Sequence, residues 1–339
     1  MMEVGILGIG VVTPLGSKLT AVWAACGRGV LAEPCALPGL PGHRPLPVFR
    51  VDPACEVRHP RLRRASPISH FAAAAAQAAV AESGPLPAGR TALVFAATDG
   101  AVIYTRRFYE EVVAAGSGSP LLFPETVYNA AASHVAAIFG IDGCVLTMVG
   151  DAVAGLAALS TAADLIRSGE ADRCLVVASQ EVDWIACEGY RRWGIARGPR
   201  QGGAVLAESA CALVLGPASP GCAVLQSVRS GAATASGEPV RFQDIFQSVA
   251  AARTPDLAVL SAIRSDGAEQ RAAEEEFPAA RLAWPRRSLG EAFSTSTLLQ
   301  VACAAQEVRG GGARSAVVSV AGLQGAAGGA FLTASAGGE

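Results

Sequence analysis

Apolar runs alternate with alanine-rich stretches of helical period along most of the chain. VGILGIGVV (4–12) reads as a strand, KLTAVWAAC (18–26) as a helix, and SHFAAAAAQAAVAESG (69–84) as a longer helix that Ser69 is placed to cap. ALVFAAT (92–98) is a buried strand, TVYNAAASHVAAIFG (126–140) a helix ended by Gly140, CVLTMVG (144–150) a strand, DAVAGLAALSTAADLIRSG (151–169) a helix and RCLVVAS (173–179) the next strand. Strands without polar alternation, separated by amphipathic helices, predict an α/β architecture with sheets buried on both faces.

The pattern repeats. AALSTAADLIRSGEADRCLVVAS (157–179) and LLQVACAAQEVRGGGARSAVVSV (298–320) both read amphipathic helix, Arg-Gly link, Ala-plus-polar turn and apolar strand, with Arg167 falling on Arg309. RTALVFAATDG (90–100) and PDLAVLSAIRSDG (255–267) are both apolar strands running into an Asp-Gly turn. Two copies of one α/β unit predict a duplicated, pseudo-twofold fold, divided into residues 1–216 and 217–339.

Composition narrows the function classes. With 339 residues, 51% hydrophobic and 17% charged, the chain can bury a thick core. A net charge of −2 gives no reason to expect nucleic acid or an anionic membrane as main partner. The nine cysteines form no C-x-x-C pair, MMEVGILGIG lacks the cationic stretch of a secretory signal, and FAAAAAQAAVA (71–81) is too short to span a bilayer. These features predict a soluble cytoplasmic protein with reduced thiols, those of Cys144, Cys174, Cys211 and Cys303 buried as small hydrophobes. No His/Cys spacing suggests a metal, and VGILGIG lacks the downstream acid of a dinucleotide site, so no cofactor is expected.

LTMVGDAVAGLAALSTAADLIRSG (146–169) is a strand, a tight turn and a helix, a shape that presents a nucleophile, yet its tip carries Asp151 and Ala152. The opening VGILGIGVVTPLGSKLTAVWAACGRGV resembles the N-terminus of the β-ketoacyl-acyl-carrier-protein synthases, and the likeness continues through RLRRASPISHFAAAAAQAAVAESG, FPETVYNAAASHVAAIFGIDGCVLTMVG, IRSGEADRCLVVASQEV and AESACALVLG. Residues 31–60 and 217–255 fit poorly, and the whole is shorter than a typical member. The resemblance implies a thiolase-like fold, a duplicated αβαβα five-layer sandwich, in agreement with the repeat.

In that family a cysteine in a T-A-C-x-x-G turn opens the buried helix, where the helix N-terminus lowers the thiol pKa and lets a thiolate accept an acyl chain. Alignment through Gly155 puts Ala152 on the cysteine, and a methyl group cannot carry an acyl chain. Asp151 reads first as a helix N-cap. The family's two C-terminal histidines are also gone. This chain has His43, His59, His70 and His134 and none later; Ile263 stands at the first position, Glu291 at the second and Arg286 at the preceding lysine. The G-F-G-G-x-N loop appears as GLQGAA, with Leu323, Gln324 and Ala327 substituted. Together these changes remove acylation, oxyanion stabilisation and proton handling.

Asp151, Arg264, Arg286, Leu323, Gln324 and Ala327 would line the vacated pocket. Glu291 and Asp151 would face each other there, either as an acid/base pair or with Glu291 solvated or paired to Arg286 or Arg264. FSTST (293–297) offers hydroxyls without a histidine to activate them, and His134 reads as a satisfied helix histidine. The arginine-dense RHPRLRR (58–64) and YRRWGIARGPR (190–200) are solvated faces, or surfaces for an acidic carrier protein or a dimer partner.

The resemblance implies a non-catalytic subunit of chain-length-factor type. Such a subunit pairs with an active ketosynthase in polyketide or fatty-acid-like biosynthesis, with an acyl carrier protein as a further partner and a homodimer as an alternative assembly. Val127, Tyr128, Met148 and Val149 are the expected interface. A second reading is a thiolase-fold scaffold without acyl substrate, such as an accessory to type VI secretion effectors; a third is a hydrolase or dehydratase using Asp151 and Glu291.

Overall fold

The computed structural model describes residues 2–37, 45–196, 204–231, 240–261, 267–323 and 325–335. The first part of the chain forms β1 (Val4–Val12), α1 (Leu19–Gly27), β2 (Pro34–Leu37), β3 (Leu46–Phe49), α2 (Pro67–Ser83), β4 (Thr91–Ala97), α3 (Val102–Ala115), α4 (Ala130–Phe139), β5 (Val145–Val149), α5 (Ala152–Arg167), β6 (Arg173–Gln180), α6 (Trp184–Arg192), β7 (Leu206–Ala207) and β8 (Ser209–Pro217). The rest forms β9 (Ala223–Gly231), α7 (Phe242–Ala250), β10 (Leu257–Val259), α8 (Ala268–Glu276), β11 (Arg281–Ala283), α9 (Pro285–Leu289), α10 (Ser294–Arg309), β12 (Ser315–Ala321) and β13 (Ala327–Ala334).

Ten strands join in the order β11-β10-β12-β13-β9-β1-β8-β6-β4-β5. Read inward from either end, the order repeats: an edge strand parallel to the second, the second parallel to the third, then two antiparallel neighbours. Among the described residues the two five-strand halves pair only through Gly5↔Val224 and Ile6↔Ala223, and the sheet folds back on itself at that seam. The sequence repeat lands on this symmetry, with β4 matching β10 and the α5–β6 unit matching α10–β12.

Helices α5 and α10 fill the space between the halves, and their apolar faces share one core with β1, β6, β8, β12 and β13. α2 and α4 cover the outer face of one half, α7 and α8 the outer face of the other. The layering is therefore αβαβα, the thiolase-like sandwich. The glycines of the opening run serve this packing: a Cβ at Gly10 would sit 1.9 Å from the Ala75 carbonyl oxygen of α2. Only a residue without a side chain lets the helix backbone come so near.

Three local expectations are corrected. α2 starts at Pro67 with Ser66 in the N-cap position, while Ser69 lies inside the helix with its hydroxyl buried and unpartnered. The cap comes from elsewhere in the chain, as the carboxylate of Glu181 accepts from the Ser66 hydroxyl and the Ile68 N–H. The helix expected from residue 126 begins at Ala130, because Phe123–Glu125 forms a separate 3-10 turn and a further turn joins the two. Cys144 is exposed, since the strand it precedes, β5, is an edge of the sheet; the other eight cysteines are also free thiols. Among the described residues no helix is long and apolar enough to cross a membrane.

Candidate functional site

The strand–turn–helix platform leads into the start of α5. Asp151 is its N-cap: Oδ1 accepts from the Val153 N–H at 3.0 Å and Oδ2 from the Leu323 N–H at 2.6 Å. One carboxylate thus satisfies an orphan helix donor and pins the loop after β12. Ala152 is 1% exposed, and its carbonyl accepts from the Thr297 hydroxyl at 2.7 Å. The turn is unstrained; among the described residues the only non-glycine positive φ angles are at Ala251, Ala252 and Phe293. Gly155 lets α10 approach, since a Cβ there would lie 2.7 Å from the Ser294 carbonyl oxygen.

Across from it, the start of α10 carries a buried ion pair. Arg286 and Glu291 are 7% and 3% exposed, with Nη1 and Oε2 at 3.0 Å. Glu291 Oε1 also accepts from the Phe293 N–H at 2.6 Å. Arg286 donates through Nε to Gln300 Oε1 and through Nη2 to the Thr297 hydroxyl, and Gln300 donates on to the Ser319 carbonyl. Of the partners open to Glu291, Arg286 pairs with it; Ile263, Arg264 and Gln324 lie outside the described residues. Both carboxylates of the expected acid/base pair are thus held by local partners.

Beneath this network lies a polar layer that the sequence reading passed over. Tyr190 stacks on Phe293 with ring centroids 4.6 Å apart and donates its hydroxyl to Asp99 Oδ1 at 2.6 Å, while the Gln180 amide donates to Oδ2 at 2.5 Å. Burial pushes the Asp99 carboxyl above the usual carboxylate range, against the pull of these two donors. Burial likewise lifts Glu181 to about 7, opposed by the Ile103 N–H, the Ser66 hydroxyl and the Ile68 N–H. Asp99, Gln180, Tyr190, Glu291 and Phe293 enclose a cavity of about 10 Å³. That is room for a single water molecule, whereas ligand pockets run to roughly 300–1,000 Å³. The Asp-Gly turn at 99–100 marked one end of the repeat, but nothing local shows that its carboxylate turns inward.

Leu323 is partly buried against the cluster of Val182, Tyr190 and Phe293, and Ala327 is buried at the start of β13. His134 bonds to Glu125 at 2.9 Å, His70 Nδ1 to the Val57 carbonyl at 3.1 Å, and His59 Nδ1 accepts from the Arg61 N–H; His43 lies outside the described residues. None of these three imidazoles bonds to the platform. No group of three or more His, Cys, Asp or Glu among the described residues is placed to hold a metal.

Of the expected interface residues, Met148 and Val149 lie on the edge strand β5, and Val127 and Tyr128 in the turn before α4. Val127, Tyr128 and Val149 are 41%, 49% and 53% exposed, and Met148 is half-buried against the core. On another face, Arg58, His59, Arg63 and His70 line an open groove of about 540 Å³.

A family model for the β-ketoacyl synthase N-terminal domain matches residues 40–221, more than half of the chain. The chain belongs to the β-ketoacyl synthase family. The matched span takes in residues 40–60, which the motif reading left out, and begins after the opening glycine run. No curated protein matches the chain. Among solved structures, the ishigamide ketosynthase/chain length factor superposes with a TM-score of 0.83 at 20% identity, over 98% of this chain and 100% of that one. A β-ketoacyl synthase from Burkholderia phymatum STM815 gives 0.83 at 16%, over 99% and 100%. The AntDE:AntF complex, a type II PKS acyl-carrier protein with its ketosynthase bound to the hexaketide, gives 0.80 at 16%, over 98% and 99%. At these identities the likeness establishes the ketosynthase fold.

Proposed function

We propose that this chain is a non-catalytic ketosynthase-like subunit, of chain-length-factor type, which pairs with an active ketosynthase in polyketide or fatty-acid-like biosynthesis. The carrying observation is the filled reaction centre: Ala152 is buried under Thr297, and the Arg286–Glu291 pair stands opposite. Among the described residues the cavity beside this network measures about 10 Å³, room for a water molecule and not for an acyl chain. The third reading, acid/base chemistry by Asp151 and Glu291, loses support because each carboxylate already accepts two hydrogen bonds from fixed partners.

Shape and surface are then the chain's contribution. The edge strand β5 carries exposed Val145 and Val149 and, among the described residues, has no neighbour on its outer side, a pairing template that a partner's strand can extend. The named neighbours include a ketosynthase/chain length factor and a carrier-protein complex, which supports a ketosynthase as partner. Arg58, Arg61, Arg63 and Arg64 are all exposed around the open groove and form a cationic face suited to an acidic acyl carrier protein. Residues 1–216 and 217–339 are taken as the two ketosynthase-like halves, in keeping with the division of the sheet.

Co-expression with a ketosynthase that keeps its cysteine tests the assignment. A stable heterodimer, active only when both chains are present, is expected, and intact mass after exposure to an acyl-carrier thioester should show the acyl group on the partner alone. An acyl adduct on this chain would refute the assignment; a stable chain that associates with no ketosynthase would favour the scaffold reading.

A further inference from the structure

The motif likeness to the family lapses over residues 31–60, and the end of that segment, with the start of α2, builds the open groove of about 540 Å³. Its floor is fixed. Two 3-10 turns, Pro53–Cys55 and Pro60–Leu62, each begin with a proline that locks φ. Each turn is also capped, the first by Asp52 accepting the Ala54 N–H at 2.9 Å and the second by His59 Nδ1 accepting the Arg61 N–H at 3.2 Å. Leu62 is fully buried with Ala65 and Ala73, and Val57 packs on the same cluster. At the entry to the segment the Val51 N–H is held by the buried Glu208 at 3.0 Å. A groove braced in this way can take a ligand without first having to order itself.

The charges around it are unspent. Arg50, Arg90, Arg106, Arg286 and Arg309 each pair with a carboxylate. Arg58 and Arg63, which line the groove, make no ion pair or side-chain hydrogen bond among the described residues, and Glu56 is the one carboxylate in the lining. Two guanidinium groups in a fixed frame suit the oxygens of a phosphate ester. The histidines add a donor and an acceptor. His59 Nδ1 accepts an N–H, which puts the proton of the neutral ring on Nε2; His70 Nδ1 lies 3.1 Å from the Val57 carbonyl, which can only accept, so its proton is on Nδ1. In the neutral rings Nε2 of His59 is therefore a donor and Nε2 of His70 an acceptor, the two functions that bind an amide. Pro53, Ala54, Val57 and Pro60 supply the apolar part of the lining.

Arginines, apolar surface and an amide-matching pair of imidazoles together fit a ligand with a phosphate ester at one end and amides behind it. The phosphopantetheine arm of a carrier protein carries its groups in that order: a phosphodiester, branched apolar carbons, two amides and a thiol. The groove is of the right scale, within the roughly 300–1,000 Å³ of small-molecule sites, whereas the cavity beside the Arg286–Glu291 pair holds one water molecule. We propose that a carrier protein docked on the face of Arg58, Arg61, Arg63 and Arg64 lays its phosphopantetheine arm in this groove, with the phosphodiester on Arg58 and Arg63 and an amide against His59 and His70. The arm is then parked on the surface of this chain. The inference rests on the carrier-protein part of the proposed function and adds to it a site for the arm.

The test uses the full chain and one acyl carrier protein in two forms, apo without the arm and holo with it, with free phosphopantetheine and inorganic phosphate as competitors. Holo carrier is expected to bind at least tenfold more tightly than apo carrier in calorimetry, and free phosphopantetheine to erase that difference at a concentration where inorganic phosphate does not. Ala54→Trp fills the groove and should bring the holo Kd to within twofold of the apo Kd, leaving apo binding unchanged, while Arg58→Ser/Arg63→Ser should weaken both forms. These positions are exposed, so each variant should keep the wild-type melting temperature. Equal binding of apo and holo carrier by wild type would overturn the inference and leave the cationic face as the docking surface. A holo advantage that survives Ala54→Trp would place the arm elsewhere and overturn it as well. Inorganic phosphate competing as strongly as phosphopantetheine would reduce the groove to an anion site and overturn the placement of the arm. Binding of neither form would remove both the inference and the docking face.

Discussion

At the first turn of α5 a single carboxylate, Asp151, caps the helix, and the backbone there is relaxed. At the first turn of α10, its partner in the central layer, Phe293 sits at φ 50 and ψ −114 and takes no part in capping through its own side chain. It is fixed by Glu291, which accepts its N–H, and by the Tyr190 ring. The two helices match in the duplicated topology and touch through Thr297 and Ala152, so the difference is one of purpose. The turn at Asp151 is an ordinary helix start. The turn opposite keeps a strained residue of a kind that costs of order 1–3 kcal/mol and needs a surrounding network to persist. That network is the organising feature of the start of α10.

The largest expected effect follows from this contrast. Glu291→Ala leaves the Arg286 guanidinium buried without its counter-charge and should destabilise the fold by about 3–5 kcal/mol in urea titration. Arg286→Met combined with Glu291→Gln keeps an acceptor for the Phe293 N–H and removes both charges, so it should cost less than Glu291→Ala alone. A cost below about 1 kcal/mol for Glu291→Ala would mean that the pair is not what holds the α10 turn.

A third carboxylate extends the comparison through pH. Glu181 serves the starts of both α2 and α3, but its complete burial lifts its pKa from the ordinary 4.5 to about 7. A raised carboxyl pKa favours the protonated form in the folded state, so its contribution is full below about 4.5 and is lost as pH rises through about 7. The melting temperature of wild type relative to Glu181→Gln should therefore decline over that window. A flat difference would show that the hydrogen bonds outweigh the burial.

The contact between the two helices offers the next test. At Gly155 an added Cβ would lie 2.8 Å from the Thr297 Cβ as well as close to the Ser294 carbonyl, so Gly155→Ala must push α5 and α10 apart. Overpacking of this kind costs typically about 1–3 kcal/mol, measurable by the same titration.

What the chain revealed in advance is what period and repetition encode. Buried strands without alternation and the Arg167/Arg309 register follow from neighbours in sequence, and the αβαβα layering is what the family resemblance implied. The misses have one physical origin. Ser69 looked like a cap because local composition said so, yet the working acceptor, Glu181, lies 113 residues from the Ile68 N–H it binds. Cys144 looked buried because its strand is apolar, but edge position is decided by strand order and not by composition. The Asp99–Tyr190 bond spans 91 residues, and no periodicity announces it. The choice of Arg286 for Glu291 likewise awaited the turn of α9.

The smallest expected effect is the most direct test of what Asp151 has become. If its task is to cap α5 and tether Leu323, Asp151→Asn keeps an oxygen for one N–H and should cost a few tenths of a kcal/mol, while Asp151→Ala should cost about 1 kcal/mol. Neither substitution should change the rate of a heterodimer whose chemistry resides in the partner. An acid or base would behave in the opposite way: asparagine, which cannot titrate, would abolish turnover as fully as alanine while leaving stability nearly intact. Measuring denaturation midpoint and product formation on the same two variants separates a helix cap from a reactive group, because the two roles rank the substitutions differently.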